Sequence, residues 1–234
     1  SVDVQSLRTV LVVPMGGAPY RKYFENDSCF ESQVSLAKSH GLLFDVLPMF
    51  FSDFSGDLNR MAIAVGAAIL ARIRSRDLGE CRLDAILFAC KGTAPTCISV
   101  AEYIRSGNVD PKLAVPLIGM GTDLQYVVNG ATCWGCTPEI RGKISPMLIF
   151  HSPCDTAVGS GFGDAIKCLE EQRGGIPDKN LARIFEFETA EARAVGHSWY
   201  NNVMDGGGPK IPELSSKEQL ILAEMSAFVK NCRP

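Results

Sequence analysis

Two periodicities of apolar and polar positions alternate along the chain. Five segments are apolar over nearly their whole length, as strands are when both faces of a parallel sheet are covered. Between and after them, apolar residues recur every three or four positions, which is the spacing of one helix face. We predict strands at 8–16, 42–51, 83–90, 113–121 and 145–152, with a sixth at 182–190. We predict helices at 30–41, 56–77, about 95–105, 162–173 and 215–232, and loops at 122–143 and 201–212.

Strands that alternate with helices in this way predict an α/β fold. Parallel neighbours need crossover connections, and the predicted helices supply them. Right-handed crossovers place helices on both faces of the sheet, which gives a three-layer α/β/α sandwich with a mostly parallel sheet. No internal repeat and no linker of low complexity divides the sequence, so residues 1–234 are predicted to form a single domain.

Composition and charge exclude several classes of partner. Of the 234 residues, 46% are hydrophobic and 21% are charged, and the net charge is -3. No run of Lys or Arg forms a basic stripe, so we expect neither nucleic acid nor an acidic membrane as a partner. No apolar run approaches the roughly 18 residues that a membrane-spanning helix needs. The start of the chain shows no signal-peptide pattern and the nine cysteines are scattered, so we predict a reducing, cytoplasmic location.

Reactive and glycine residues follow four of the predicted strands. In a parallel sheet the carboxyl ends of the strands meet at one edge, where ligands bind. Glycines there allow backbone N–H groups to point into a site, while thiol, carboxylate and imidazole groups supply chemistry. They are Gly16, Gly17 and Ala18 after the first strand, Cys90 and Lys91 after the third, Asp155 after the fifth and His197 after the last.

This order along the chain resembles the α/β-hydrolase family. The stretch ISPMLIFHSPCDTAV is similar to the family's strand and acid loop, AVGHSWY to its histidine loop, and PMGGAPY to the loop that supplies half of its oxyanion hole. The family places a nucleophile on a strand–turn–helix elbow, with the acid and the histidine following in that order. The resemblance runs from about Arg8 to Cys232. It implies the α/β-hydrolase fold with a minimal cap, because the insertion after the fourth strand is short.

The elbow departs from the family pattern G-x-S-x-G, since it contains no serine. Two alignments remain open. With Cys90 as the nucleophile the elbow is FACKG, in which Gly92 fills the later small position but the bulky Phe88 fills the earlier one. With Lys91 in that position the elbow is ACKGT, and an ammonium group replaces the nucleophile. A cysteine at the start of a helix beside a lysine is in a setting that stabilises a thiolate.

The resemblance implies a hydrolase of a small ester, thioester or lactone, of the dienelactone-hydrolase type that uses cysteine. Cys90 would be the nucleophile, His197 its base and Asp155 the residue that orients the base. The backbone N–H of Lys91 and one from the first loop, at Gly17 or Ala18, would stabilise the oxyanion. The partner is then a small-molecule substrate, and no metal or organic cofactor is expected.

Two alternatives stay open. Members of this family that lost catalysis keep the fold for binding, and Lys91 or crowding at Phe88 would disable the elbow in the same way. The second alternative is a redox sensor, because Cys133 and Cys136 form a C-x-x-C pair. A zinc site would need a second pair at suitable spacing, which the sequence lacks. His151, at the end of the fifth strand, is predicted to be a packed histidine.

Overall fold

Six parallel strands form one sheet in the computed structural model of the protein. The strands are β1 (Arg8–Val13), β2 (Leu42–Val46), β3 (Ala85–Ala89), β4 (Leu117–Met120), β5 (Met147–His151) and β6 (Ala182–Ile184). Their order across the sheet is β2-β1-β3-β4-β5-β6, and each neighbouring pair is parallel. The structure describes residues 6–14, 27–55, 57–110, 113–122, 145–157, 166–167, 182–204 and 210–232. The prediction of an α/β fold with a parallel sheet is confirmed.

Helices cover both faces of the sheet. They are α1 (Asp27–Ser39), α2 (Leu58–Asp77), α3 (Thr93–Gly107), α4 (Ala190–Ala194), α5 (Asn201–Met204) and α6 (Pro212–Asn231), with 3-10 turns at Phe51–Phe54, Cys90–Gly92 and Gly196–Tyr200. Side chains of α2 and α3 pack in the core on one face, and side chains of α1 and α6 pack in the core on the other. In the described part of the chain, no helix is both long and apolar enough to cross a membrane.

The helix α2 illustrates how sequence produces these elements. Met61, Val65, Ile69 and Ile73 recur every four residues and are all buried against the sheet. The helix begins after Asp57, whose carboxylate accepts the backbone N–H groups of residues 59 and 60 at 3.0 Å each. This cap satisfies two of the N–H groups that the first turn leaves without helical partners.

Several predicted elements end elsewhere in the structure; the strand predicted at 42–51, for example, ends at Val46. The strand predicted at 182–190 ends at Ile184, and the end of the predicted segment belongs to α4, which Thr189 caps with its hydroxyl 3.2 Å from the N–H of Ala192. The loop predicted at 201–212 begins with the short helix α5, which is helical because Val203 and Met204 are buried in the core. The helix predicted at 162–173 lies outside the described residues, except that residues 166 and 167 are helical.

The strand order places a crevice beside β3. The chain passes from β1 to β2 on one side of the sheet and then to β3 on the other side of β1. Crossovers on the two sides diverge at such a reversal, and the carboxyl ends of the two central strands are where ligands bind in open α/β sheets. Cys90 directly follows β3 at this point.

Phe88 and Gly119 share the space between β3 and β4. They are paired across the two strands, and Phe88 is fully buried. A Cβ atom at Gly119 would lie 3.1 Å from Phe88 Cε2, 2.7 Å from Ile149 Cδ1 and 2.6 Å from Thr122 Oγ1. The missing side chain on β4 therefore makes room for the phenyl ring that precedes the elbow.

We expect Gly119→Ala to destabilise the protein by about 1–3 kcal/mol, the usual cost of overpacking a core. The measurement is denaturant unfolding monitored by circular dichroism. As a control for the mechanism, Ile149→Val removes the Cδ1 methyl group, so it should cost less in the Gly119→Ala background than in the wild type. Equal costs in both backgrounds would show that the loss of stability has another origin.

Candidate active site

Cys90 occupies a strained backbone position between β3 and α3. Its φ angle is 46°, one of three positive values outside glycine among the described residues. Such conformations cost about 1–3 kcal/mol for a residue with a side chain and concentrate at functional sites. The preceding residue, Ala89, is fully extended (φ -141°, ψ 159°), so the chain reverses sharply at Cys90. Lys91 follows the bend and does not occupy it, which favours the alignment FACKG.

Thr93 holds this bend in place. Its backbone N–H donates to the carbonyl oxygen of Cys90, and its hydroxyl donates to the same oxygen at 2.7 Å. Thr93 is completely buried. Two donors on one carbonyl fix the peptide plane after Cys90, so the thiol is carried by a rigid turn at the start of α3.

Asp155 and His197 form a directly hydrogen-bonded pair. The His197 Nδ1 atom lies 2.9 Å from both carboxylate oxygens of Asp155. The carboxylate is fully buried, whereas 29% of the His197 side chain is exposed. A buried carboxylate on Nδ1 keeps the proton there and turns Nε2 outward, the arrangement that an imidazole base requires.

The third member of the group is Cys90, which interacts electrostatically with His197. Burial by itself lowers the pKa of His197, but the hydrogen bonds to Asp155, the interaction with Cys90 and the charges of both groups outweigh it and raise the pKa from its ordinary 6.5 to about 10. The imidazolium form therefore prevails at neutral pH.

The acid loop and the histidine loop are tied together by Cys154. Its Sγ atom lies 3.1 Å from Ser152 Oγ and donates to the carbonyl oxygen of Gly196 at 3.8 Å. Asp155 closes the turn by donating its N–H to the Ser152 carbonyl at 2.9 Å. Gly196 has a φ angle of 58°, which a glycine adopts without strain. These contacts set the position of Asp155 against the residue that follows Gly196.

Other predicted features divide into those placed and those outside the described residues. His151 is buried, as predicted, and burial lowers its pKa while the charge of Asp155 opposes that shift. Gly16, Gly17 and Ala18 lie outside the described residues, and so do both cysteines of the C-x-x-C pair. Among the described residues, no cluster of three His, Cys, Asp or Glu side chains could hold a metal ion.

Two aromatic residues after His197 belong to the site, although the sequence marks them only as apolar. Trp199 donates its Nε1–H to Asp155 Oδ2 at 3.3 Å. The Tyr200 hydroxyl lies 3.5 Å from His197 Nε2. Both residues are 2% exposed. The signal that could have identified them is their position in the same short turn as the histidine, which brings all three side chains to one place.

Comparison with solved structures identifies the class of fold. The chain is similar to a thermophilic esterase from the Planctomycetes species Thermogutta terrifontis. The butyrate-bound structure matches with a TM-score of 0.54 at 12% identity, covering 97% of this chain and 85% of the esterase. The native structure matches with a TM-score of 0.53 at 14% identity, covering 95% of this chain and 82% of that one.

A fungal enzyme has a similar structure. Carboxyl esterase 2 from the mycorrhizal fungus Tuber melanosporum matches with a TM-score of 0.50 at 14% identity, covering 97% of this chain and 80% of the esterase. No family model matches the sequence, and no curated protein matches it. At these identities the likeness establishes the fold alone: the chain has the α/β fold of these esterases, with an all-parallel sheet and helices on both faces.

Proposed function

We propose that the protein hydrolyses a small ester, thioester or lactone through a triad of Cys90, His197 and Asp155 on an α/β-hydrolase fold. The observation that carries the proposal is the strained bend at Cys90, whose side chain interacts electrostatically with a histidine held by a buried carboxylate. The fold shared with esterases supports an ester hydrolase as the general class.

In the proposed first half-reaction, Cys90 Sγ attacks the acyl carbon as a thiolate, and the carbonyl π electrons move onto oxygen. The backbone N–H groups of Lys91 and of Gly17 or Ala18 would donate to this oxyanion. His197 then transfers its Nε2 proton to the leaving oxygen or sulfur atom as the bond to the acyl carbon breaks. The products are the free alcohol or thiol, an acyl thioester and a neutral imidazole.

Water completes the cycle in the second half-reaction. The Nε2 atom of His197 removes a proton from water as the water oxygen attacks the acyl carbon of the thioester. Collapse of this second tetrahedral intermediate breaks the C–S bond, releases the acid and restores the Cys90 thiolate beside the imidazolium. Asp155 retains the proton on Nδ1 throughout, so Nε2 is the nitrogen atom that exchanges protons.

A thiolate nucleophile narrows the range of substrates. Each tetrahedral intermediate expels the weaker base more readily. The ordinary pKa of a thiol is about 8.5 and that of a phenol is about 10, whereas water ionises at about 15.7 and alcohols resemble it. An alkoxide therefore leaves less readily than the thiolate that attacked. We propose that thioesters and esters of acidic alcohols such as phenols are hydrolysed in preference to simple alkyl esters.

Trapping the acyl intermediate tests this function. We expect phenyl acetate, quenched with acid during the first turnovers, to leave an acetyl group on Cys90 that hydroxylamine removes. The group should accumulate because its hydrolysis requires the activation of water. Mass spectrometry of the digested protein locates it, and Cys81, which lies before the opposite end of β3, is the control thiol. Hydrolysis without any acetyl group on Cys90 would contradict the assignment of the nucleophile.

The same experiment distinguishes the proposed hydrolase from the alternative, a binding protein with a disabled elbow. Two features favoured that alternative, Lys91 and the bulk of Phe88, but Gly119 on the neighbouring strand accommodates the ring of Phe88. Crowding at Phe88 is therefore no reason for an inactive elbow. Binding of thioesters or aryl esters without acetyl transfer would support the alternative.

A further inference from the structure

The segment that carries His197 also carries two aromatic residues that contact the polar atoms of the site. Trp199 donates to the carboxylate of Asp155 at 3.3 Å. Tyr200 places its hydroxyl 3.5 Å from His197 Nε2, the nitrogen atom opposite the one that Asp155 binds. Its ring meets the imidazole edge-on, with ring centroids 5.3 Å apart and planes at 78°.

Tyr200 is itself held firmly. A Cβ atom at Gly121 would lie 2.5 Å from Tyr200 Cε1 and 2.6 Å from Cδ1. Gly121 has a φ angle of 52°, so a side chain there would be strained as well as obstructed. On another side, the ring of Trp199 packs at 88° to that of Tyr200, with centroids 6.1 Å apart. The backbone of Gly121 and the indole ring therefore fix the direction of the phenol.

In the proposed cycle, the Tyr200 hydroxyl can hydrogen-bond to His197 Nε2 at the stage when Cys90 cannot. In the resting site, His197 Nε2 faces the phenol oxygen of Tyr200, and the imidazole interacts electrostatically with Cys90. When sulfur bonds to the acyl carbon, its negative charge disappears and it becomes a poor acceptor. The imidazolium Nε2–H then needs another acceptor until the leaving group takes the proton. A phenol oxygen can accept that bond, and its O–H can later donate to neutral Nε2.

We propose that Tyr200 is a positioning residue that holds His197 Nε2 in place while Cys90 is bonded to the acyl group. The inference rests on the proposed function. Asp155 fixes the imidazole at Nδ1 and Tyr200 fixes it at Nε2, so the ring stays aligned after the thiolate has left the ion pair. Alignment of a proton donor within hydrogen-bonding distance is what general acid catalysis depends on.

The test is Tyr200→Phe, which keeps the ring against Gly121 and removes only the hydroxyl. We expect the single-turnover acylation rate with phenyl acetate to fall about three- to tenfold, the equivalent of one ordinary hydrogen bond. We also expect the pKa of His197 to fall, because the imidazolium loses an acceptor. The second readout is an NMR titration of the imidazole ring. The chain has three histidines, so comparison with His197→Ala assigns the signal.

Tyr103→Phe is the matched control, because it also removes a phenol hydroxyl. This hydroxyl, on α3, donates to Asp77 on α2 at 2.7 Å. It should change neither the acylation rate nor the His197 titration. A Tyr200→Phe variant that acylates and titrates like the wild type overturns the inference and leaves the proposed function standing. If no thioester, aryl ester or lactone acylates the wild-type protein, the proposed function is overturned, whatever effect Tyr200→Phe has on the His197 titration.

Discussion

Cys90→Ala should reduce kcat/KM for phenyl acetate by at least about 10³-fold, the scale seen when a nucleophile that acts as part of a triad is removed. His197→Ala should have an effect of similar size. Without the imidazole, Cys90 has neither a base nor a counter-charge, and no group donates a proton to the leaving alcohol. Initial rates over a range of substrate concentrations measure both effects.

The double variant makes this expectation sharper. Cys90 and His197 act in the same step, so the effects should not add: the double variant should be about as slow as Cys90→Ala alone. Cys81→Ala is the matched control, because it removes a thiol far from the bend and should keep wild-type activity. If hydrolysis continued in Cys90→Ala at the wild-type rate, another residue would have to be the nucleophile.

Asp155→Asn is expected to lower kcat by about 10²- to 10³-fold while leaving KM nearly unchanged. In serine triads the same replacement costs about 10⁴-fold, because the amide favours the wrong imidazole tautomer. A thiol ionises more readily than a hydroxyl and depends less on the acid, so we expect a smaller loss here. The pH dependence of kcat/KM, together with the NMR titration of His197, measures the effect.

The sign of the accompanying pH effect follows from the His197 pKa of about 10. Because folding raises this pKa above its ordinary 6.5, the stability that the imidazolium contributes is fully present below pH 6.5 and is lost as the pH rises through 10. In Asp155→Asn, burial still lowers the pKa but the carboxylate no longer raises it. The imidazolium should therefore titrate at lower pH, and alkylation of Cys90 should slow at neutral pH.

Glu191→Gln is the control for this variant, since it removes one negative charge from the exposed first turn of α4. It should leave both kcat and the His197 titration unchanged. Thermal unfolding shows whether Asp155→Asn has perturbed the fold, because its carboxylate also accepts the Trp199 N–H. An unchanged His197 titration in Asp155→Asn would contradict the role given to the carboxylate.

The layers of the fold were predictable from the sequence, whereas the ends of several elements were not. Continuous apolar runs such as Ala85–Ala89 predict strands buried on both faces, and all five residues of that strand are buried. The segment that follows β6 depends instead on a distant contact. The carboxylate of Glu213 accepts the N–H groups of Glu188 and Thr189 at 2.6 and 3.0 Å. A residue on α6 thus holds residues 188 and 189 at the start of α4, where the local pattern would extend the strand.

The candidate site was likewise predictable from the sequence only in part. The sequence predicted that Cys90, Asp155 and His197 lie near one another, because parallel strands carry the residues that follow them to one edge of the sheet. The accommodation of Phe88 was not visible, because it depends on the absence of a side chain at Gly119 on another strand. The contacts of Trp199 and Tyr200 with the site were missed for a related reason. The pattern of apolar residues indicates that an aromatic ring is buried, but it does not indicate which polar atom the N–H or O–H group of that residue contacts.

The position of β3 at the centre of the sheet affects the order in which the site is made during synthesis. The strands next to β3, which are β1 and β4, both precede Asp155 and His197 in the chain, and amino-terminal parts of a protein leave the ribosome first. Asp155 and His197 are synthesised later, and β5 adds only to the edge that β4 leaves open. A nascent chain therefore contains the bend before it contains the imidazole. Its thiol has no base until residue 197 has been synthesised, so chains cut short after β4 would carry an unactivated cysteine.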